Sequence, residues 1–309
     1  MTKTTGVRRR PSPSYSTRLG RMYCGRAETL LVRYPLTRYR KRVQLIITSP
    51  PFPLNRKKQY GNLNGDEYVE WLAAFASLFR DYLSARGSIV IELGNAWDAG
   101  RPVMSTLSLR ALLRFQEAAN LHVCQQFVCH NPARLPSPVE WVNKRRIRVK
   151  DAYTHVWWMS KTSRPFADNR KVLVPYSSSM KRLLRNGTYN SGSRPSEHDI
   201  GRHSFLTNHG GAIPSNVLTF TNTSANDSYL AHCRRRGCAI HPARMPPGLV
   251  EFFVRFLTKP GDYVMDPFAG SNTSGFVAEK CRRKWLSMEA DRKYISGSKG
   301  RFDKLVSTP

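Results

Sequence analysis

Four consecutive residues carry the groups needed to hold an amino group: Ser49, Pro50, Pro51 and Phe52, which we call the SPPF loop. Two consecutive prolines fix φ and remove two backbone donors, so the carbonyl oxygens and the Ser49 hydroxyl remain as hydrogen-bond acceptors. Acceptors on both N–H bonds of a conjugated amino group would draw its nitrogen toward tetrahedral geometry, while Phe52 stacks on the attached ring. The alternative is that Ser-Pro-Pro only ends a strand.

A second segment, residues 266–273, has the composition of a nucleoside-binding turn, and we call it the DPF loop. Its candidate cofactor-binding residues are Asp266, Phe268, Ala269, Gly270, Ser271, Asn272 and Thr273. Small residues let a backbone approach a ligand closely where a helix begins. Farther along, Glu289 could accept hydrogen bonds from ribose hydroxyls. The fingerprint of three spaced glycines is missing, which favours a cofactor without phosphates; a purely structural turn is the alternative.

Short apolar strands and helices alternate around both loops. Residues 43–48 and 88–94 are almost continuous apolar runs, as in buried parallel strands, and residues 67–82 between them show helical periodicity. The alternation recurs as helix, strand, helix and strand at residues 246–259, 263–266, 273–281 and 284–288. This order predicts an α/β protein of Rossmann-like type, with a mostly parallel, twisted sheet and a cofactor at the carboxyl ends of its strands.

The composition divides the chain into four segments. Residues 1–18 mix Arg, Pro, Ser and Thr without periodicity, which predicts a disordered basic arm. Residues 19–161 contain the SPPF loop, and residues 241–309 contain the DPF loop. Between them, residues 162–240 are rich in Ser, Asn, Gly, Arg and Pro and are interpreted as a loop-rich insert.

The formal net charge of +29 points to an anionic partner. Basic residues recur along the whole chain, which favours nucleic acid, and no basic amphipathic helix of the membrane-surface kind is evident. The candidate nucleic-acid-binding residues are Lys57, Lys58, Lys144, Arg145, Arg146, Arg148, Lys150 and Arg194.

Membrane insertion and metal binding have little support in the sequence. No run of eighteen or more apolar residues occurs, so a cytoplasmic location is expected. The six cysteines are few for 309 residues, and the two close pairs have four residues between partners, unlike a zinc knuckle. We therefore expect reduced structural thiols and no metal.

The SPPF loop and the DPF loop, in this order, resemble the paired signature of amino-methylating DNA methyltransferases in their permuted arrangement. An SPPF loop with serine at its first position and phenylalanine at its last is similar to the cytosine-N4 branch of the family, whereas the adenine-N6 branch usually has aspartate at the first position. The resemblance covers residues 22–303, over which the sequence is similar to the PvuII-type modification enzymes. It extends through the segments Leu135-Pro136-Ser137-Pro138-Val139-Glu140-Trp141-Val142-Asn143, Arg148-Val149-Lys150-Asp151, Val156-Trp157-Trp158, Arg194-Pro195-Ser196, Gly210-Gly211-Ala212-Ile213-Pro214 and His241-Pro242-Ala243-Arg244.

The resemblance implies an S-adenosylmethionine-dependent methyltransferase fold and double-stranded DNA as the substrate, with the insert facing DNA. It implies that the SPPF loop contacts the amino group and that the DPF loop and Glu289 surround the cofactor. His241 and Pro242 would flank the methionine end. Glu92, at the end of the next strand, could help handle the released proton; capping a nearby loop is the alternative. A separate restriction endonuclease is the partner that such an enzyme could have.

Two departures from the family pattern keep alternatives open. Gln44 stands where aspartate is usual, and Cys24-Gly25-Arg26 stands where Gly-Asp or Gly-Asn is common. Both are expected near the adenine pocket or its supporting strand, so an inert DNA-binding protein on the same fold is one alternative. An adenine-N6 enzyme is the other. A carbon-5 cytosine methyltransferase is disfavoured because no cysteine follows a proline.

Overall fold

The computed structural model of the protein describes residues 10–52, 65–221 and 227–303. The strands within these ranges are β1 Tyr15–Ser16, β2 Gly20–Cys24, β3 Val43–Thr48, β4 Leu83–Gly94, β5 Ala96–Trp97, β6 Met104–Ser105, β7 His122–His130, β8 Tyr153–Ser160, β9 Gly192–Ser193, β10 Asp199–Ile200, β11 Val217–Thr219, β12 Tyr263–Asp266 and β13 Lys284–Glu289. The α-helices are α1 Ala27–Leu30, α2 Gly65–Tyr82, α3 Leu107–Ala118, α4 Ser178–Asn186, α5 Ser228–Arg236, α6 Pro247–Leu257, α7 Thr273–Lys280 and α8 Arg292–Lys299.

Nine strands form the central sheet, in the order β1-β2-β13-β12-β3-β4-β8-β7-β11. Strand β8 is antiparallel to both of its neighbours, and β1 is antiparallel to β2. All other neighbouring pairs are parallel. The predicted α/β fold with a mostly parallel sheet is therefore confirmed.

The core lies between the sheet and the helices on its two faces. Alternate residues of a strand point to opposite faces, so Trp157 joins the cluster formed with α2 and α3, while Trp158 packs against Phe256 of α6. Strand β3 is buried at every position except Gln44, which is partly exposed. Burial on both faces explains why the parallel strands are continuous apolar runs in the sequence.

The predicted strand–helix–strand unit around α2 is present with one shifted boundary. Helix α2 ends at Tyr82 as predicted, but β4 begins at Leu83, five residues before the predicted strand. Leu83 pairs with Val43 across a register irregularity in the ladder. The first residues of β4 do not form an apolar run in the sequence. Residues 84–86 are partly or fully exposed, so apolar side chains are not needed there.

The prediction of a disordered arm is wrong for its last residues. Residues 1–9 lie outside the described residues, but Tyr15 and Ser16 form β1. The Tyr15 ring is buried, and its hydroxyl forms hydrogen bonds with Ser298 and with the Asn272 amide. The buried Tyr15 ring and the backbone pairing with β2 order this short strand, and such contacts leave no periodicity in the sequence.

Residues 168–215 form a second compact unit, which lies within the predicted insert 162–240. It contains α4 and the antiparallel pair of β9 and β10. The Ser177 side chain caps α4 at its N-terminus, and Gly187 ends the helix in the left-handed conformation at φ 69°. Residues 216–240 belong instead to the larger unit, because β11 pairs with β7 of the central sheet.

Within the described residues, no helix is both long enough and apolar enough to span a membrane.

Candidate active site

Four neighbouring strands end at one edge of the central sheet. Strands β13, β12, β3 and β4 are mutually parallel, so their carboxyl ends meet there. The last residues of these strands are Glu289, Asp266, Thr48 and Gly94. The SPPF loop follows β3 and the DPF loop begins with the end of β12, so the fold brings both predicted loops to this edge.

A buried carboxylate connects the two loops. The Thr48 hydroxyl donates a hydrogen bond of 2.7 Å to Asp266 Oδ1, and the Phe268 N–H donates to the same oxygen at 3.0 Å. The Ser274 hydroxyl donates to the other carboxylate oxygen. Burial raises the pKa of Asp266 to about 6, against the lowering effect of these donors. Asp266 therefore holds the residue before Ser49 against the start of the DPF loop.

Glu92 lies next to the SPPF loop. It is 9% exposed and its carboxylate accepts a hydrogen bond from the Thr154 hydroxyl at 2.9 Å. Burial raises the pKa of Glu92, while hydrogen bonds from Thr154 and Ser49 and the charge of Arg134 oppose the rise. The Ser49 proton is thus directed at Glu92, which leaves the lone pairs of the Ser49 oxygen for another donor.

The remaining residues of the SPPF loop differ in exposure. Pro50 is buried and Pro51 is exposed. The half-buried Phe52 ring meets the edge of Tyr68 at a centroid distance of 5.8 Å. Phe268 of the DPF loop packs 5.2 Å from Phe75 on the same helix, so α2 supports an aromatic ring from each loop.

Glu289 accepts two backbone hydrogen bonds at the end of β13. Its Oε2 accepts from the Gly270 N–H at 2.8 Å, and its Oε1 accepts from the Asp291 N–H at 2.8 Å. Burial raises the pKa of Glu289, against these donors. The Ala290 N–H also lowers this pKa, and the carboxylate keeps the capacity to accept from ribose hydroxyls.

His241 packs against the glycine of the DPF loop. Gly270 has φ 51°, and a Cβ built there would lie 2.9 Å from His241 Cε1 and Nε2. The backbone therefore requires glycine at 270 for both its conformation and its closeness to the imidazole. The His241 N–H donates to the Tyr229 hydroxyl at 2.8 Å. Pro242, the next residue, is exposed.

Three residues at the end of the DPF loop are buried, which limits the contact that their side chains could make with a cofactor. Asn272 is fully buried and caps α7: its Oδ1 accepts from the Gly275 N–H at 3.1 Å and from the Ser287 hydroxyl at 2.7 Å. Ser271 and Thr273 are 2% and 3% exposed. The side chain of Asn272 is occupied by the protein itself, so we propose a structural role for it in place of a cofactor contact.

Arg301 is not predicted from the sequence, yet it holds the DPF loop in place. It is 2% exposed; its Nε donates to the Ser271 carbonyl at 2.6 Å and its Nη2 to the Ser271 hydroxyl at 2.9 Å. Asp227 lies 3.4 Å from Arg301 and 2.7 Å from Arg244. Nothing in the local sequence marks an arginine as buried; only Asp227, which caps α5, carries a readable helix-start signal.

The two departures from the family pattern occupy different positions. Gln44 lies near the amino end of β3, away from the loop edge, where its amide donates to the carbonyls of Arg86 and Leu257 at 3.1 and 3.2 Å. Gln44 therefore lies in a strand that supports the site, which is one of the two locations expected for it. Cys24 pairs with Glu289 in the sheet, and the Gly25 N–H donates to the Glu289 carbonyl at 2.9 Å.

Five of the six predicted DNA-binding residues that the structure describes have polar contacts within the protein. Lys57 and Lys58 lie outside the described residues. Lys144 and Arg145 pair with Glu140 at 3.2 Å each. Arg148 pairs with Asp151 at 3.6 Å. The Lys150 amine donates to the carbonyls of Pro132 and Arg134, and the Arg194 guanidinium donates to the Asn190 carbonyl at 2.6 Å. Arg146 is exposed and forms no ion pair among the residues described.

All six cysteines are free thiols, as predicted. Burial raises the pKa of Cys129 to about 12, so this thiol remains protonated. In the described part of the chain, no three His, Cys, Asp or Glu side chains are grouped so as to hold a metal ion.

The sequence matches the model of a family described as DNA methylase, which includes N6- and N4-methylating enzymes, over residues 43–300. The chain belongs to this family. The resemblance noted in the sequence is thereby confirmed, together with the fold that it implied.

Individual relatives agree with this assignment. The chain is 46% identical over 292 residues to the type II methyltransferase M.PvuII of Proteus hauseri, covering 94% of this chain and 85% of the relative. A solved structure described as PvuII DNA methyltransferase (cytosine-N4-specific) superimposes with a TM-score of 0.75 at 40% identity, covering 95% of this chain and 89% of that one. The M1.HpyAVI–SAM complex shares the fold, with a TM-score of 0.55 at 18% identity over 92% of this chain and 100% of that one.

Proposed function

We propose that this chain transfers a methyl group from S-adenosylmethionine to the N4 atom of cytosine in double-stranded DNA. The observation that carries the proposal is that Ser49, which is hydrogen-bonded to Glu92, directly follows Thr48, and that Thr48 is hydrogen-bonded to Asp266 at the start of the DPF loop. The similarity to a protein described as cytosine-N4-specific supports the choice of base.

Ser49 and Glu92 would act on the target amino group. The Ser49 hydroxyl donates to Glu92, so its oxygen can accept a hydrogen bond from the amino N–H. Withdrawal of that N–H frees the nitrogen lone pair for attack on the methyl carbon. The nitrogen then carries an extra proton, which Glu92 can receive through Ser49 when its carboxylate is ionised. Phe52 would stack on the base.

The residues around the DPF loop fit S-adenosylmethionine. Gly270 presents backbone without a side chain, and the Glu289 carboxylate next to it can accept from both ribose hydroxyls. His241 and Pro242 would border the methionine end, because His241 contacts Gly270. The bound cofactor supplies an electrophilic methyl group; the protein holds it close to the nitrogen and in line.

We also propose that the enzyme is the modification part of a restriction–modification system, with an endonuclease that acts separately. The insert within residues 162–240, including the compact unit 168–215, would choose the DNA sequence. The basic residues would contribute affinity that does not depend on sequence.

Identification of the methylated nucleoside tests this proposal. The purified full chain is incubated with isotopically labelled S-adenosylmethionine and duplex DNA of mixed sequence, and the DNA is digested to nucleosides for mass spectrometry. Label in N4-methylcytosine is the expected result. Label in N6-methyladenine would replace the target base, and the absence of label with DNA still bound would indicate an inert DNA-binding protein. The Ser49→Ala variant serves as the control for contaminating activity.

A further inference from the structure

The loop between β7 and β8, residues 131–152, exposes apolar side chains to an unusual degree. Val149 is 87% exposed and Leu135 is 80% exposed, the two highest values among the exposed large hydrophobic residues of the described chain. Ile147 in the same loop is 60% exposed. With Val139, which is 55% exposed, four such side chains in one connection point to a surface that is covered in the working state.

This β7–β8 loop is rooted at the active-site edge. Its ends are joined by the Asn131 N–H, which donates to the Ala152 carbonyl at 2.7 Å. Two residues farther on, the Thr154 hydroxyl donates to Glu92, and the charge of Arg134 affects the Glu92 pKa. The β7–β8 loop therefore begins and ends close to the Glu92 carboxylate, which contacts Ser49.

Hydrogen bonds within the loop hold it in shape. The Lys150 amine donates to the carbonyls of Pro132 and Arg134 at 3.0 and 3.2 Å, and the Asp151 N–H donates to the Ser137 carbonyl at 3.3 Å. These contacts brace the backbone next to the exposed Val149. The Val149 side chain therefore projects from a backbone that is already ordered. This order lowers the conformational-entropy cost of inserting the side chain into a binding partner.

Positive charge surrounds these apolar side chains. Arg146 and Arg148 line an open pocket of about 450 Å³ in the same loop, together with Asn143. The β7–β8 loop carries six basic residues between Arg134 and Lys150 and only two acidic ones, Glu140 and Asp151. This excess of positive charge around the exposed apolar side chains favours DNA over an apolar protein surface.

We propose that Leu135 and Val149 enter the duplex at the target site and fill the space vacated when the base rotates out of the helix. The proposal rests on the proposed function, since the SPPF loop cannot reach an amino group that is stacked and paired. Apolar wedges between base steps are a general means of holding DNA in a distorted form. The β7–β8 loop would then stabilise the extruded state, and the SPPF loop would receive the base.

The test uses the variants Leu135→Ser and Val149→Ser in the full chain, with Leu113→Ser on α3 as the matched control, because Leu113 is 49% exposed and lies outside the loop. Each protein is given a matched duplex and a duplex whose target cytosine faces an abasic site. On the matched duplex the loop variants should methylate roughly ten- to a hundredfold more slowly, because help with unstacking is lost. On the abasic duplex, where extrusion needs little help, they should approach the wild-type rate.

A fluorescent base analogue at the target position separates extrusion from chemistry. The loop variants should show a smaller rise in fluorescence on the matched duplex, and Leu113→Ser should match the wild type. Wild-type rates for the loop variants on both duplexes would overturn the proposal, and so would equal losses on both. A change of oligomeric state in Leu135→Ser or Val149→Ser would overturn it by assigning the surface to a second copy of the chain. If the wild-type protein methylated no cytosine on either duplex, the proposed function itself would be overturned, and the loop proposal with it.

Discussion

Thr48 and Asp266 are joined by a buried hydrogen bond of 2.7 Å across 218 residues of sequence. Thr48 immediately precedes the SPPF loop, and Asp266 begins the DPF loop. The bond fixes the distance between the group that would hold the amino nitrogen and the backbone that would hold the cofactor. Rate and cofactor affinity should therefore respond together when it is removed.

Thr48→Val removes the hydroxyl and nearly preserves the volume. The buried Asp266 then loses one donor, which raises its pKa further above about 6 and leaves a carboxylate oxygen with one hydrogen bond fewer. We expect weaker S-adenosylmethionine binding by about 1–3 kcal/mol, together with slower methyl transfer. Titration calorimetry and single-turnover rates measure the two effects, and Thr48→Ser, which retains the hydroxyl, is the control. Loss of rate at unchanged affinity would show that the bond does not position the DPF loop.

Glu92→Gln tests the proton acceptor. Glu92 must be ionised to receive a proton, and burial raises its pKa above the ordinary value of 4.5. The wild-type rate should therefore fall as the pH is lowered through this raised pKa. The variant should be slow at every pH and should lack that acidic fall, because glutamine does not titrate. The pH–rate profile at saturating cofactor is the measurement; an unchanged profile would assign Glu92 to loop capping alone.

Glu289→Ala should affect the cofactor and spare the chemistry. We expect S-adenosylmethionine to bind more weakly by roughly 1.5–3 kcal/mol, the contribution of hydrogen bonds to a charged group, with a nearly normal rate at saturation. Glu70→Ala, which removes an exposed carboxylate paired with Arg114, is the matched control. Calorimetry showing wild-type affinity for Glu289→Ala would refute the ribose role.

Arg301→Lys keeps a positive charge but cannot reproduce the two-pronged donation to the Ser271 carbonyl and hydroxyl. We expect weaker cofactor binding by about 1–3 kcal/mol, while the rate at saturating S-adenosylmethionine stays near normal. Arg292→Lys, at an exposed position of α8, is the control. Thermal melting should be followed in parallel, since an equal loss of stability and of rate at saturation would indicate a purely structural role for Arg301.

The parts of the site that the sequence predicts are those encoded by local pattern. The apolar run 43–48 and the helical repeat 67–82 specify a strand and a helix, and a parallel sheet then brings the SPPF and DPF loops to one edge. The same rule places Glu92 beside Ser49, although no local signal links them.

The parts that the sequence does not predict depend on tertiary contacts. Tyr15 orders β1 because it reaches Asn272 and Ser298, which are distant in sequence. The sequence predicts a cofactor contact for Asn272, but it does not predict that the Asn272 side chain caps α7 from a left-handed backbone at φ 55°. Helix α4 could have been found from its caps Ser177 and Gly187, since both are typical helix boundaries.

The most direct test of the account compares methyl transfer and cofactor binding in one preparation of Ser49→Ala. The Ser49 hydroxyl is directed at Glu92 and belongs to the SPPF loop, so its loss should act on the target amino group and not on the cofactor. We predict that the single-turnover rate on a matched duplex falls by about 10²- to 10⁴-fold, the range for a lost proton-transfer group, while the dissociation constant for S-adenosylmethionine stays at its wild-type value. A wild-type rate in this variant would contradict the account and remove Ser49 from the mechanism.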